Sequence, residues 1–203
     1  MNRNPYEERS KRTYDKKAQQ YEATFEGKFT VRVREMLYNA VSINPNDTVL
    51  DVACGDGRLL EAFTQKASFR GYGVDISGKM VEQAEKRNPG MRFFTAGCEN
   101  LPFQSGDVDV MTVCAAYHHF PNVEDFAQEA SRVIKSGGRL YIAEIYLPAL
   151  LRTVCNPFLR FSRTGDVKFY SPNEIARLFE EHQFLVKEVT VKHRVQLIQL
   201  QRK

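Results

Sequence analysis

Apolar and polar residues follow two rhythms along this chain, and the rhythms change places at regular intervals. From Phe29 to Ile43, Val33, Met36, Leu37, Ala40 and Val41 recur at helical spacing, which predicts an amphipathic helix. Asn44-Pro45-Asn46-Asp47 stops it. Thr48 to Ala53 is β-branched and apolar, the pattern of a strand covered on both faces. Leu59, Leu60 and Phe63 then return to the helical period. The exchange repeats with strands at Phe69–Ile76, Met91–Ala96 and Asp107–Ala116, and with a helix from Gly78 to Arg87 behind Ser77 as N-cap. A helix from Val123 to Lys135, a Ser136-Gly137-Gly138 turn and a fifth strand, Arg139 to Tyr146, complete it. Strand and helix in alternation argue for an α/β fold with a parallel sheet and helices on both faces.

The ends depart from this alternation. Tyr6 to Tyr21 reads as a highly charged helix, broken near Asp15, with a narrow stripe of Tyr14, Ala18, Tyr21 and Phe25. Such a stripe suits a cap over a pocket or packing on the rim of the domain. Leu147 to Tyr170 is a connection long enough to carry function or a short helix. Ser171-Pro172-Asn173-Glu174 spells a capping box and opens a helix through His182. Phe184–Val191 and Val195–Leu200, parted by three polar residues, read as an antiparallel hairpin at a sheet edge.

A chain of 203 residues suits one domain with a substantial core. No apolar run approaches the ~18–20 residues that span a bilayer, and Met1 to Lys17 lacks the apolar core of a signal peptide, so the expectation is a cytoplasmic protein with no membrane insertion. The four cysteines (54, 98, 114 and 155) form no C-x-x-C pair and the four histidines lack ligand spacing, so no metal is expected. Charge is uneven: residues 41–145 carry ten Lys/Arg against fourteen Asp/Glu, whereas both flanks are basic. The flanks read as solvated faces or as a rim for an anionic ligand; without aromatic-basic interleaving, nucleic acid is not expected.

Candidate chemistry sits where the first strand ends. Gly55 and Gly57 allow a sharp turn and close approach of a ligand to the backbone. A dinucleotide turn would place a third glycine where Leu60 stands, which leaves an NAD-linked oxidoreductase as the alternative. Asp51 before the turn suits a ligand bearing an ammonium group. Asp75, ending the second strand, can accept hydrogen bonds from ribose hydroxyls.

Asp51-x-x-Cys54-Gly55-x-Gly57, Asp75, Glu99-Asn100-Leu101-Pro102-Phe103, Tyr117-His118-His119-Phe120 and the run from Arg132 to Leu140 occur in order over residues 45–145. In this the chain resembles the class I S-adenosylmethionine-dependent methyltransferases, in the small-molecule branch with the ubiquinone/menaquinone methyltransferase-like proteins. The resemblance implies a Rossmann-like seven-stranded sheet of order 3-2-1-4-5-7-6 with strand 7 antiparallel. It implies a single domain over 1–203: lid helices at 1–43, a cofactor core at 44–146, a substrate-side connection at 147–170, and a helix with edge hairpin at 171–203. It also implies S-adenosyl-L-methionine as cofactor, S-adenosyl-L-homocysteine as product, and in-line methyl transfer to a small, partly apolar acceptor by a monomer or homodimer. A non-catalytic cofactor-binding module is the second alternative.

By position, Asp51 with Ala53, Cys54, Gly55 and Gly57 would hold the methionine part, and Asp75 the ribose. Ile76 and Leu101 would sandwich the adenine, with Gly97, Cys98 and Glu99 along its edge. Cys114 and Ala115 would border the sulfonium, and Tyr14 and Tyr21 resemble the lid aromatics. The family's Gly-Asp-Ala is here Ala96-Gly97-Cys98, so the acid that binds the adenine amino group is missing. His118, just past strand 4, is placed to act as a base or to line the pocket, with His119 beside it and Glu144 able to orient either ring. Cys54, Cys98 and Cys114 read as compact fillers or as reactive thiols bordering the cofactor.

Overall fold

The computed structural model describes residues 4–18, 20 and 24–203. Its strands form one sheet in the order β3-β2-β1-β4-β5-β7-β6. β1 (Thr48–Val52), β2 (Arg70–Asp75), β3 (Arg92–Thr95), β4 (Val108–Cys114) and β5 (Ile134–Ile145) are parallel. β7 (Val195–Arg202) inserts antiparallel between β5 and β6 (Phe184–Lys192). This is the order the resemblance implied, including the reversed strand.

The period of two along each strand assigns its side chains to two layers. Leu50, Val52, Met111, Val113, Leu140, Ile142 and Ile198 pack with Phe126 and Phe179, from α5 (Val123–Val133) and α7 (Pro172–Glu181). Val49, Val110, Tyr141, Ala143 and Leu197 pack on the other face with Val33, Leu37, Leu60 and Phe63, from α2 (Phe25–Ala40) and α3 (Arg58–Phe63). Leu60 is fully buried there, so the position where a dinucleotide turn has glycine is occupied by a core side chain.

Local rules set the ends of the elements. Ser77 caps α4 (Gly78–Arg87), its Oγ accepting from Met80 N at 3.1 Å. Ser171 and Glu174 form the reciprocal capping box expected for α7. Several boundaries differ from the sequence reading, α5 among them, which ends at Val133 because β5 already begins at Ile134. α1 (Pro5–Lys17) runs through Asp15 without the expected break and ends before Tyr21, and α2 starts at Phe25 because Thr24 supplies the N-cap. β5 runs through the glycine pair instead of starting after it: a Cβ on Gly138 would stand 2.6 Å from Ile134 Cγ2, and its absence lets the register shift there. The long connection contains α6 (Ala149–Cys155) followed by a 3-10 segment, Asn156–Phe161. Among the described residues no helix is long and apolar enough to cross a membrane.

Candidate active site

β1 has β2 on one side and β4 on the other, so a crevice opens beyond their carboxyl ends where the strand order reverses. Leaving β1, Ala53, Gly55 and Gly57 take φ of 58°, 53° and 78°, and Ala115 after β4 takes 52°. A non-glycine residue held in this region costs about 1–3 kcal/mol and survives only where its surroundings enforce it. Both alanines line the crevice. A Cβ on Gly55 would meet nothing within 4 Å, so the backbone is bare towards the open space. Gly57 serves packing: a Cβ there would stand 2.6 Å from Asn88 Nδ2 and 3.0 Å from Ala84 Cβ, where α3 meets α4.

The crevice is a cleft of about 1010 Å³ out to its mouth, and its floor carries two buried carboxylates, Asp51 and Asp75. Asp51 Oδ1 accepts from Thr112 Oγ1 at 2.7 Å. Asp75 accepts from Gly55 N and Ser77 N, each at 2.8 Å. Burial pushes Asp51 up to about 7 against the Thr112 hydrogen bond, with the charge of Asp75 adding to the rise. Burial likewise raises Asp75 to about 6, although its backbone donors oppose this. Such a pair is relieved by a cationic ligand. S-Adenosylmethionine fits such a cleft: it is cationic, it carries ribose hydroxyls for a buried carboxylate to accept from, and the bare Gly55 leaves it room.

Beside the cleft, and reaching it through His119, lies an imidazole-carboxylate cluster whose His118, Glu144 and Asp166 stand behind the lining. His118 Nδ1 and Glu144 Oε2 are 2.9 Å apart, and Glu144 is almost fully buried. Burial opposes charge on His118, but the attraction and hydrogen bond of Glu144 prevail and its pKa rises. His119 Nε2 lies 2.8 Å from Tyr14 Oη, and burial together with the charge of His118 holds His119 neutral. Asp166, from the connection after α6, approaches both rings, its Oδ1 at 3.5 Å from His118 Nε2 and 3.3 Å from His119 Nδ1.

α1 covers the cleft and is tied down on two sides. Asp15 Oδ1 accepts from Ser77 Oγ at 2.6 Å, which joins α1 to the cap of α4. Arg9 donates to the carbonyls of Arg160 and Ser162, and Thr13 to that of Arg163. Gly165, φ 84°, permits the contact, since a Cβ there would stand 2.6 Å from Tyr6 O. The two segments outside the alternating core therefore meet each other over the site.

Tyr14, Asp51, Ala53, Cys54, Gly55, Asp75, Ile76, Gly97, Cys98, Cys114, Ala115 and His119 all line the cleft. Leu101 lies in the core beneath it, with its amide on Glu129 Oε2. Glu99 stands beside it with Oε1 buried and unbonded, and burial raises its pKa. Tyr21 is outside the described residues. Burial drives the thiols of Cys54, Cys98 and Cys114 upward, so all three are fillers in their resting form, poor in thiolate. Sequence reasoning missed Glu7, Arg34 and Asp166. Glu7 reaches the cleft at Gly97, where its Oε1 would lie 3.0 Å from an added Cβ, beside the position of the missing family acid. Arg34 lines the cleft from α2. No local motif marks these residues, because each belongs to an element that only the tertiary fold brings to the site.

Residues 50–142 match the methyltransferase domain family. Over 204 aligned residues the chain is 28% identical to a demethylmenaquinone methyltransferase of Thermotoga maritima, covering 86% of this chain and 87% of that one. It is 36% identical over 110 residues to a ubiquinone/menaquinone biosynthesis C-methyltransferase of Rhizobium johnstonii, 49% of this chain and 42% of that one. A solved S-adenosylmethionine-dependent methyltransferase from Thermotoga maritima superposes with a TM-score of 0.76 at 19% identity, covering 96% of this chain and all of the other.

Proposed function

The chain belongs to the class I S-adenosylmethionine-dependent methyltransferases, and from that premise we propose that it methylates a small, partly apolar acceptor of quinol-like chemistry. The observation that carries the reading is the cleft itself, lined by two buried carboxylates and by the imidazole of His119, with Glu7, Ser10 and Tyr14 of α1 along its side. Bound S-adenosylmethionine supplies a methyl group already activated by its sulfonium. What remains for the protein is alignment and desolvation, which can supply on the order of 7–11 kcal/mol.

Asp51 with the backbone of Ala53 and Gly55 receives the ammonium, and Arg34 offers a positive charge for the carboxylate. Asp75 receives the ribose; Ile76, Gly97, Cys98 and Glu99 surround the adenine, with Glu7 in place of the missing acid. Cys114 and Ala115 border the sulfonium. His119 faces the acceptor, and the proton that the acceptor gives up passes to the imidazole pair, where Glu144 beside His118 stabilises the imidazolium that forms.

The apolar surface of the connection that delivers Asp166 supports this acceptor class. Leu150, Leu151, Val154, Phe158 and Phe161 are exposed on α6 and the 3-10 segment, interleaved with Arg152 and Arg160. An apolar ring or tail reaching the site across that surface is drawn from water, and the name of the Thermotoga relative agrees. Incubation with methyl-labelled S-adenosylmethionine and a fractionated extract tests this. Label in the solvent-extractable fraction, including demethylmenaquinone added as acceptor, is expected. Label confined to tRNA or protein overturns it.

A further inference from the structure

The sequence alone gives no reason to expect a metal, yet the fold brings three ligating atoms together. His118 Nε2, His119 Nδ1 and Asp166 Oδ1 lie within 4.8 Å of one another. A tetrahedral ion bound at ~2.0–2.1 Å sets neighbouring ligand atoms about 3.3 Å apart. Asp166 Oδ1 stands 3.5 Å from one imidazole nitrogen and 3.3 Å from the other. The second distance is not a hydrogen bond: His119 Nδ1 is buried and meets no partner in hydrogen-bonding geometry, although the Gly165 backbone lies close enough to favour its proton.

Each ligating group is also oriented from behind. His118 directs its other nitrogen at Glu144 Oε2 (2.9 Å), and His119 directs its other nitrogen at Tyr14 Oη (2.8 Å). Asp166 Oδ2 accepts from the hydroxyls of Ser162 and Thr164, which turns Oδ1 towards the rings. A carboxylate behind an imidazole is the usual outer support of a metal ligand, since it fixes the tautomer and raises basicity. Charge points the same way. The formal charges that bear on the two rings from outside are those of Glu144, Asp166 and Lys17, which leaves one negative charge in excess around the pair.

We propose that His118, His119 and Asp166 form a binding site for a divalent zinc-class ion at the acceptor end of the cleft. Two imidazoles and one carboxylate leave a fourth position open, as catalytic zinc sites do. Of the three ligands His119 lines the cleft, as Tyr14 behind it does, and the open position in this proposal is the one turned towards it. There an oxygen or sulfur atom of the acceptor completes the coordination. This last clause rests on the methyltransferase reading, whereas the ion site itself does not.

The probes are Zn2+ and Co2+ added to the metal-stripped full chain. Expected are one ion per chain, the ligand-field spectrum of a four-coordinate Co2+ site without a thiolate charge-transfer band, and magnetic couplings to two imidazole nitrogens. Asp166→Asn abolishes uptake while affinity for S-adenosylhomocysteine is kept, His118→Gln also abolishes uptake, and Glu144→Gln weakens the ion ~10–100-fold. Should a variant not fold, the spectra of the wild-type chain decide. Absence of stoichiometric uptake, a thiolate band, or uptake that survives both ligand substitutions overturns the site and leaves a cluster bridged by protons. Homocysteine-nucleoside binding without ion uptake refutes the ion site and leaves the methyltransferase reading standing.

Discussion

Replacing Asp75 with asparagine tests how the cleft holds its nucleoside. The carboxylate accepts two backbone amides, from Gly55 and Ser77, one on each oxygen. Both oxygens keep a further lone pair each for a ribose hydroxyl. Asparagine keeps one oxygen and replaces the other with an amide group that can only donate, so one hydroxyl contact is lost together with the negative charge. A hydrogen bond to a charged group contributes about 1.5–3 kcal/mol. The dissociation constant should therefore rise roughly 10- to 150-fold. Titration calorimetry with S-adenosylhomocysteine at pH 8 is the assay, since Asp75 with a pKa of about 6 is then ionised in the parent. Melting temperatures of the ligand-free proteins separate loss of a contact from loss of the turn. An affinity within two-fold of the parent, in a variant that melts normally, would refute the role of Asp75.

Other expectations follow from the same geometry. Because burial raises Asp51 to about 7 and Asp75 to about 6, a cationic cofactor must be bound against protonation in acid; affinity measured from pH 8.5 downwards should fall through pH 7 to 6, and a flat or opposite profile counts against both carboxylates. The same raised values mean that the two groups favour the ligand-free fold in acid and that this contribution is lost as pH rises from about 4 towards 7, so the cofactor's gain in melting temperature should grow over that range. Gly55→Ala should weaken S-adenosylhomocysteine binding more than it lowers the melting temperature, and Gly57→Ala the reverse, because only the second Cβ strikes protein. Tyr14→Phe removes the bond to His119, about 0.5–1.5 kcal/mol, so hydrogen exchange in α1 should quicken while the core is unaffected; equal protection would show that the tie is idle.

What could be read in the sequence was set by local physics. The turn from Asp51 to Gly57, the caps at Ser77 and Ser171, and the strand-helix alternation each arise from neighbours in the chain, so pattern and turn chemistry exposed them. The sheet edge was legible for the same reason, as two β-rich runs one short turn apart. The acceptor end was only half legible. His118 and His119 stand out as a pair, but Asp166 joins them from a connection with no regular period, and Glu7 and Arg34 face the cleft from helices whose spacing fixes only their buried faces. The glycine pair at 137–138 misled for a physical reason: glycine signals turns, yet here it relieves a crowded bulge inside β5.

The most direct test is a crystal of this protein grown with S-adenosylhomocysteine. The nucleoside should lie across Gly55 with its ribose on Asp75 and its sulfur directed towards His119. Density elsewhere on the molecule, or a cleft still filled by solvent at saturating ligand, would contradict the account.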